Sequence, residues 1–315
     1  MYMICNPLEY HQPSLVTNAF KMSGHFNGGP PGFATPSDDE EPFVYTSIRY
    51  DTRLLKSDKN TAASCGKPCP FYMLEHHWTR LQIAKWSTFC FADDRPRSNS
   101  GGPSLLYSTL LKAVKQWHEK HPGETPESLR IKVRAYVGGR VRTEIYFPLR
   151  SIPMEQLFPS GLGSPTQPWV ALEWTIVLDS QATEPSEGTM FKTNDRSAYG
   201  RARAAAEILT YQIPKEVLLF SSDGNILDGS ICTPYCYRNG AWVTPDASAG
   251  GLQGTTRRWA LEQGLAVEGK IAVDSFQDGE IVWLSNAVRG YFPARFEHRT
   301  GRGKSPCDAQ PVSDS

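Results

Sequence analysis

Residues 218–231 run Leu218-Leu219-Phe220-Ser221-Ser222-Asp223-Gly224-Asn225-Ile226-Leu227-Asp228-Gly229-Ser230-Ile231. The apolar run over 217–220 predicts a short strand, Asp223-Gly224 a turn, and the pattern over 226–237 a second strand. Asn239-Gly240 is a two-residue hairpin signal, with 241–244 as the returning strand. Gly250-Gly251-Leu252-Gln253-Gly254-Thr255-Thr256 then leads into a helix that runs to about Gln263 and is stopped by Gly264. A last strand over 282–285 ends at Asn286. Strands joined by turns, with one helix entered through glycines, make this half of the chain a mixed α/β unit.

Upstream, Phe191-Lys192-Thr193 opens the unit and a helix rich in Ala and Arg is predicted over 195–210. The polar stretch 180–189, with Pro185 and Gly188, is the best candidate for a domain boundary. Before it, strands are predicted over 43–50, 130–137, 140–147 and 169–178, the middle two joined at Gly138-Gly139. Helical spacing over 72–84 puts Leu74, Trp78, Leu81 and Ala84 on one face. The span 104–121 forms a second helix, with Ser104 as N-cap and Leu106, Leu110, Ala113 and Trp117 as its buried stripe. Segments 57–70 and 92–103 read as polar loops, and no internal repeat is present.

The 315 residues are 39% hydrophobic, enough for a substantial core, and 33 basic side chains balance 33 acidic ones. A net charge of zero gives no reason to expect nucleic acid or an anionic membrane as partner, so a small molecule is the default. Seven scattered cysteines do not form a disulfide framework. Cys65 and Cys69 lack a second ligand pair at zinc spacing, so no metal is expected. Cys232 and Cys236 read as small buried hydrophobes. The first residues show neither the basic nor the apolar region of a signal peptide, and no apolar run is long enough to span a bilayer. A cytoplasmic location is expected.

The ordered set of motifs in 218–231, 237–245, 250–258 and 281–290 resembles the C-terminal half of fold-type IV pyridoxal-phosphate enzymes. That family comprises branched-chain and D-amino acid aminotransferases and aminodeoxychorismate lyases, and the wording is nearest to fungal aminodeoxychorismate lyase-like proteins. Glu75-His76-His77-Trp78-Thr79-Arg80-Leu81 is similar to the family's His-x-x-Arg-Leu helix. The resemblance covers most of residues 43–295. It implies an α/β (α+β) protein of two domains with pyridoxal 5'-phosphate in the cleft between them. The expected divisions are a leader at 1–42, an N-terminal domain at 43–180, a cofactor-binding domain at 181–300 and a tail at 301–315.

The resemblance makes Lys192 the Schiff-base lysine; a bare Phe-Lys-Thr would read as a surface lysine at a helix start. It makes Asp228 the partner of the cofactor's pyridine nitrogen, in a place where the family has Glu, so the arm is one methylene shorter. Asp-Gly is also a common turn pair. Gly254, Thr255 and Thr256 resemble the phosphate cup, where small residues before a helix let backbone N–H groups reach an anion. Arg80 completes it. Tyr199 is a candidate for the cofactor's phenolate or for core packing. Asn286, Ala287 and Arg289 match the turn that meets the substrate carboxylate, and Arg49, Arg134 and Arg140 are further carboxylate candidates because guanidinium grips carboxylates bidentately. The implied activity is a lyase that converts 4-amino-4-deoxychorismate to 4-aminobenzoate and pyruvate. The alternatives are an aminotransferase on the same scaffold and a non-catalytic homologue. The implied substrate is an amine bearing a carboxylate, and the implied assembly is a homodimer.

Overall fold

Alternation builds the first sheet. The computed structural model describes residues 41–84, 102–136 and 140–299. Cys5, Cys90, Cys307, the Gly138-Gly139 turn, the tail at 301–315 and all but the last two residues of the expected leader lie outside it. In β1 (Phe43–Asp51), Val44 and Ile48 share one face while Tyr45, Ser47 and Arg49 share the other. The chain then forms α1 (Asp58–Ala62) inside a segment expected to be a plain loop. Ser57 caps it by accepting from the Asn60 N–H, and the buried Asn60 amide donates to the carbonyls of Cys69 and Phe71. Side-chain caps carry this helix, which is too short to show periodicity.

Helices α2 (Leu74–Ile83) and α3 (Gly102–Lys120) cover the apolar face of the sheet that β1 forms with β2 (Ser128–Tyr136) and β3 (Val141–Pro148), both antiparallel. Leu74, Leu81, Leu106 and Leu110 pack there on Ile131 and Val133. The α3 stripe contains Val114 in place of Trp117, which is half-buried and stacks on His121 at 4.4 Å. Helix α3 also begins ahead of Ser104, so Ser104 is not its cap.

After α4 (Met154–Leu157), β4 (Trp174–Leu178) enters the larger sheet. Its strand is shorter than the expected 169–178. Helices α5 (Glu187–Met190) and α6 (Ser197–Ala205) follow; α6 ends well before 210, where Glu207 turns to φ 60. The rest of the chain adds β5 (Lys215–Phe220), β6 (Ile226–Gly229), β7 (Thr233–Arg238), β8 (Ala241–Pro245), α7 (Thr255–Glu262), β9 (Val267–Gly269), β10 (Ile281–Asn286) and β11 (Gly290–Phe296). The sheet order is β6-β5-β4-β11-β10-β7-β8-β9, with parallel pairs at β5–β4, β4–β11 and β8–β9. Both of its faces are buried. Trp283, Tyr235, Tyr291 and Trp259 pack on one, and Val282, Leu284, Cys236 and Phe296 on the other. Strands β9 and β11 have no counterpart in the sequence reading, because neither shows clean alternation.

The single strand expected over 226–237 is two strands. The buried Glu216 carboxylate on β5 accepts from the backbone N–H groups of Ser230 and Ile231 at 3.0 and 3.1 Å. The chain breaks there, so β6 pairs with β5 and β7 crosses to β10. Gly229 is required at the bend, since a Cβ would lie 2.4 Å from the Cys232 carbonyl oxygen. Asn239 at φ 52 and Gly240 at φ 84 make the expected hairpin turn. Among the described residues no helix is long and apolar enough to cross a membrane, and no cluster could hold a metal. Glu216→Ala takes the carboxylate acceptor from the Val217 and Ile231 N–H groups, while the Ser230 N–H keeps the Val217 carbonyl, so we expect a loss of roughly 2–6 kcal/mol in urea unfolding, at about 1–3 per orphaned donor. A loss below about 1 kcal/mol would mean that Glu216 does not hold the break.

Candidate active site

Lys192 is stitched to the smaller sheet through its own backbone. Its carbonyl accepts from the Tyr45 N–H at 2.7 Å, Thr193 bridges Val44, and the Asn194 side chain accepts from the Phe43 N–H. The preceding turn, α5, is fixed by a capping box between Ser186 and Thr189. Lys192 therefore stands where the two sheets meet, on the wall of a cavity of about 870 Å³. Its Nζ lies 5.3 Å from the Tyr45 ring centroid. The side chain is partly exposed on the wall of that cavity. Burial first, then the Arg196 and Arg80 charges, push its amine well below the usual lysine range.

Asp228 reaches the same cavity from β6 and is buried. Gly251 packs so tightly behind it that a Cβ there would lie 2.0 Å from the Leu227 carbonyl oxygen. Burial raises the Asp228 carboxyl from its ordinary 3.8 to about 8, against the opposing pull of Arg196. A carboxyl held this way calls for a cationic partner before it will ionise at neutral pH.

The N-terminus of α7 forms the third corner. Gly254 is its N-cap without a side-chain bond, and a Cβ there would lie 2.9 Å from Thr233 Oγ1. The Thr255 hydroxyl is buried with no partner among the described residues. Thr256 Oγ1 is 2.8 Å from Ser285 Oγ, which in turn is 2.9 Å from the Tyr235 hydroxyl. Arg80 arrives from α2 and donates to the Thr46 hydroxyl, while its Nε is buried without a partner among the described residues. Burial lowers Arg80 to about 10, so it remains a cation. Unpaired donors around a helix N-terminus form a cradle for a phosphate. With an amine and a carboxyl facing the same space, this donor set fits pyridoxal phosphate.

Asn286 governs the turn after β10. Its Oδ1 accepts from the N–H groups of Val288 and Arg289, and its Nδ2 donates to Cys232 Sγ at 3.2 Å. Those two amides are thus engaged within the turn. Arg289 lies at the cavity with its guanidinium donating to the Tyr211 carbonyl and stacked over Trp174. Arg49 lines the cavity too, but its three nitrogens bond Asp51 and the carbonyls of Val288 and Arg150, so it clamps the turn to β1.

Ten sequence candidates therefore converge on one cavity: Lys192, Asp228, Arg80, Gly254, Thr255, Thr256, Asn286, Ala287, Arg289 and Arg49. Three do not line it. Arg134 pairs with Glu144 at 2.7 Å, Arg140 pairs with Glu41, and the Tyr199 hydroxyl donates to the Thr189 carbonyl at 3.1 Å. Arg130 and Arg196 do line it and were missed. Period-two alternation places Arg130 on the same strand face as Arg134, so that signal was available. Arg196, four residues past Lys192, carried no separate signal. Seven Arg and Lys side chains against two carboxylates on the wall favour an anionic occupant.

The family model for amino-transferase class IV matches residues 70–295. The chain is 27% identical over 253 residues to the aminodeoxychorismate lyase of Saccharomyces cerevisiae, an alignment covering 70% of this chain and 66% of that protein. It is 32% identical over 130 residues to a Schizosaccharomyces pombe protein named "Putative aminodeoxychorismate lyase", covering 40% of this chain and 56% of that one. The chain thus spans less than two thirds of the length of each of these relatives. Among solved structures, a Mesorhizobium loti protein described as a "Putative amino-acid aminotransferase" aligns with a TM-score of 0.57 at 20% identity, over 81% of this chain and 100% of that one. A "Putative 4-amino-4-deoxychorismate lyase" aligns at 0.53 and 21%, over 87% and 93%. At those identities the likeness is one of fold.

The Asp228 carboxyl sets a stability test on cofactor-free protein. Its folded pKa is about 8 against 3.8 ordinarily. Between those values the folded state holds a proton that the unfolded state has lost, so this group's contribution to stability falls as pH rises. Asp228→Asn removes the effect. Thermal melts should show the variant gaining on the parent steadily from about pH 4 to 8, by a few kcal/mol at about 1.4 kcal/mol per unit. A difference independent of pH would contradict the assignment.

Proposed function

The chain belongs to the amino-transferase class IV family, and on that premise we propose that it is a pyridoxal-phosphate-dependent lyase that converts 4-amino-4-deoxychorismate to 4-aminobenzoate and pyruvate. The observation that carries the reading is the convergence of the depressed amine of Lys192, the carboxyl of Asp228 and the buried donors at the N-terminus of α7 on one cavity. The relatives named as aminodeoxychorismate lyases support the choice of reaction.

Lys192 is the residue that would hold the cofactor covalently, Arg80 with Thr255 and Thr256 would hold its phosphate, and Asp228 would pair with its ring nitrogen. Bound pyridoxal phosphate supplies an electron sink for a substrate amine. Lys192, its amine pushed well below the usual lysine range by burial, is the residue that would take the proton from the ring carbon bearing the substrate amine. The neighbouring ring carbon–oxygen bond would then break, the side chain leaving as the enolate of pyruvate, which takes a proton to give pyruvate, and the ring becomes aromatic. The substrate carries two carboxylates, and Arg130, Arg150 and Arg289 are cavity cations available to meet them. Asp228 ionises only opposite a cation, so its charge and a protonated ring nitrogen stabilise one another. A homodimer, a cytoplasmic location and a place in folate synthesis belong to the same proposal and rest on the resemblance.

The test is product formation by the loaded enzyme. Release of 4-aminobenzoate from 4-amino-4-deoxychorismate is expected, and Lys192→Ala should lower it by roughly 10²–10⁴-fold. Asp228→Asn should keep the cofactor but reduce turnover per bound cofactor, while Asp228→Glu restores the family residue and should be tolerated unless the longer arm overpacks. An enzyme that makes no 4-aminobenzoate and instead exchanges amino groups between amino and keto acids would replace the lyase with an aminotransferase.

A further inference from the structure

We propose that Arg196 is the residue of this chain that binds the phenolate oxygen of pyridoxal phosphate, in the place where the sequence suggested Tyr199. The inference rests on the cofactor reading above and adds to it a residue that the family motifs do not name.

Arg196 stands at the N-cap of α6, and its guanidinium lies over the Tyr199 ring, 3.3 Å from the ring centroid. One nitrogen, Nη2, donates to the Ser230 carbonyl at 3.2 Å. The other, Nη1, is buried and has no partner among the described residues. The side chain lines the same cavity as Lys192 and Asp228. Among the charged neighbours of both groups it exerts the largest effect, lowering the amine of the one and the carboxyl of the other. Its position is well determined. The stacked Tyr199 ring supports one side, and Ser230 is itself held by the Glu216 carboxylate. A fork braced on two sides with one terminal nitrogen left without a partner among the described residues is arranged to receive an acceptor.

The chemistry of the cofactor says which acceptor. Its ring bears three polar groups besides the carbon that meets Lys192: a nitrogen, a phosphate arm and an anionic oxygen. The first is matched to Asp228 and the second to the cradle at α7. The oxygen, on the carbon next to the one that meets Lys192, still needs a donor. Tyr199 is poorly placed for the task, because its hydroxyl donates to the Thr189 carbonyl and its ring is covered by Arg196. The groups facing Arg196 are Lys192, Asp228 and the Tyr199 ring, with Arg80 beyond and Glu216 behind Ser230.

A cation bonded to the phenolate favours the deprotonated form of the nitrogen that joins Lys192 to the cofactor. Removing it should raise the pH at which the bound cofactor's visible absorbance titrates. The measurement is that titration, with cofactor affinity beside it, for the wild type, Arg196→Gln, Arg196→Lys and Tyr199→Phe. We expect Arg196→Gln to shift the midpoint up by about one unit and weaken cofactor binding by about tenfold. Arg196→Lys keeps the charge without the fork and should fall between; it decides the matter if Arg196→Gln fails to fold. Tyr199→Phe should titrate like the wild type. An unshifted midpoint in the Arg196 variants, or a shift in Tyr199→Phe alone, would overturn the proposal and leave the cofactor reading standing. A wild type that develops no visible absorbance with pyridoxal phosphate would remove both.

Discussion

The Glu216 carboxylate is the constraint on which the site depends. It is fully buried, and it terminates β6 by taking the N–H groups of Ser230 and Ile231, with the Ser230 hydroxyl as a further donor. A buried carboxylate is tolerated only where hydrogen bonds replace its water, and these donors do that. Three consequences follow from the one contact. Asp228 is left at the end of a short strand, facing the cavity. The Ser230 carbonyl is fixed as the rest for Arg196. The chain is sent across the sheet to β7, which puts Cys232 and Thr233 against Asn286 and Gly254.

Electrostatically the site is an excess of cation around one unwilling carboxyl. Burial first, and then nearby charges that include Arg196, lower both Lys192 and Arg80, and Arg80 adds to the effect on Lys192. Such an arrangement is unfavourable on its own and is relieved by an anionic ligand that also carries a cationic ring nitrogen. Pyridoxal phosphate has both features, and in the proposed reading its phosphate and phenolate would meet the arginines and its pyridinium Asp228.

Much of this was legible in the sequence where local chemistry decides. The Asn239-Gly240 turn, the glycine entry to α7 and the alternation in β1 and β2 are short-range signals, and each element formed where they point. Lys192, Asp228 and the α7 threonines were found through motif order, and the cavity gathers them. What failed was longer in range. The β6–β7 break depends on Glu216 reaching Ser230 across 14 residues, which no period reveals. Arg134 and Arg140 looked like carboxylate ligands, yet whether a strand arginine faces a cavity or an acidic neighbour depends on tertiary placement. Tyr199 was placed by helical spacing from Lys192, but the Thr189 carbonyl claimed its hydroxyl.

The central claim is that Lys192 is the covalent anchor of a pyridoxal-phosphate site. Its most direct test is chemical: load the purified chain with pyridoxal phosphate, reduce with borohydride, digest, and find the modified peptide by mass spectrometry. The account predicts one phosphopyridoxyl group, on the peptide carrying Lys192. Labelling confined to a different lysine, or none above a control reduced without cofactor, would contradict it.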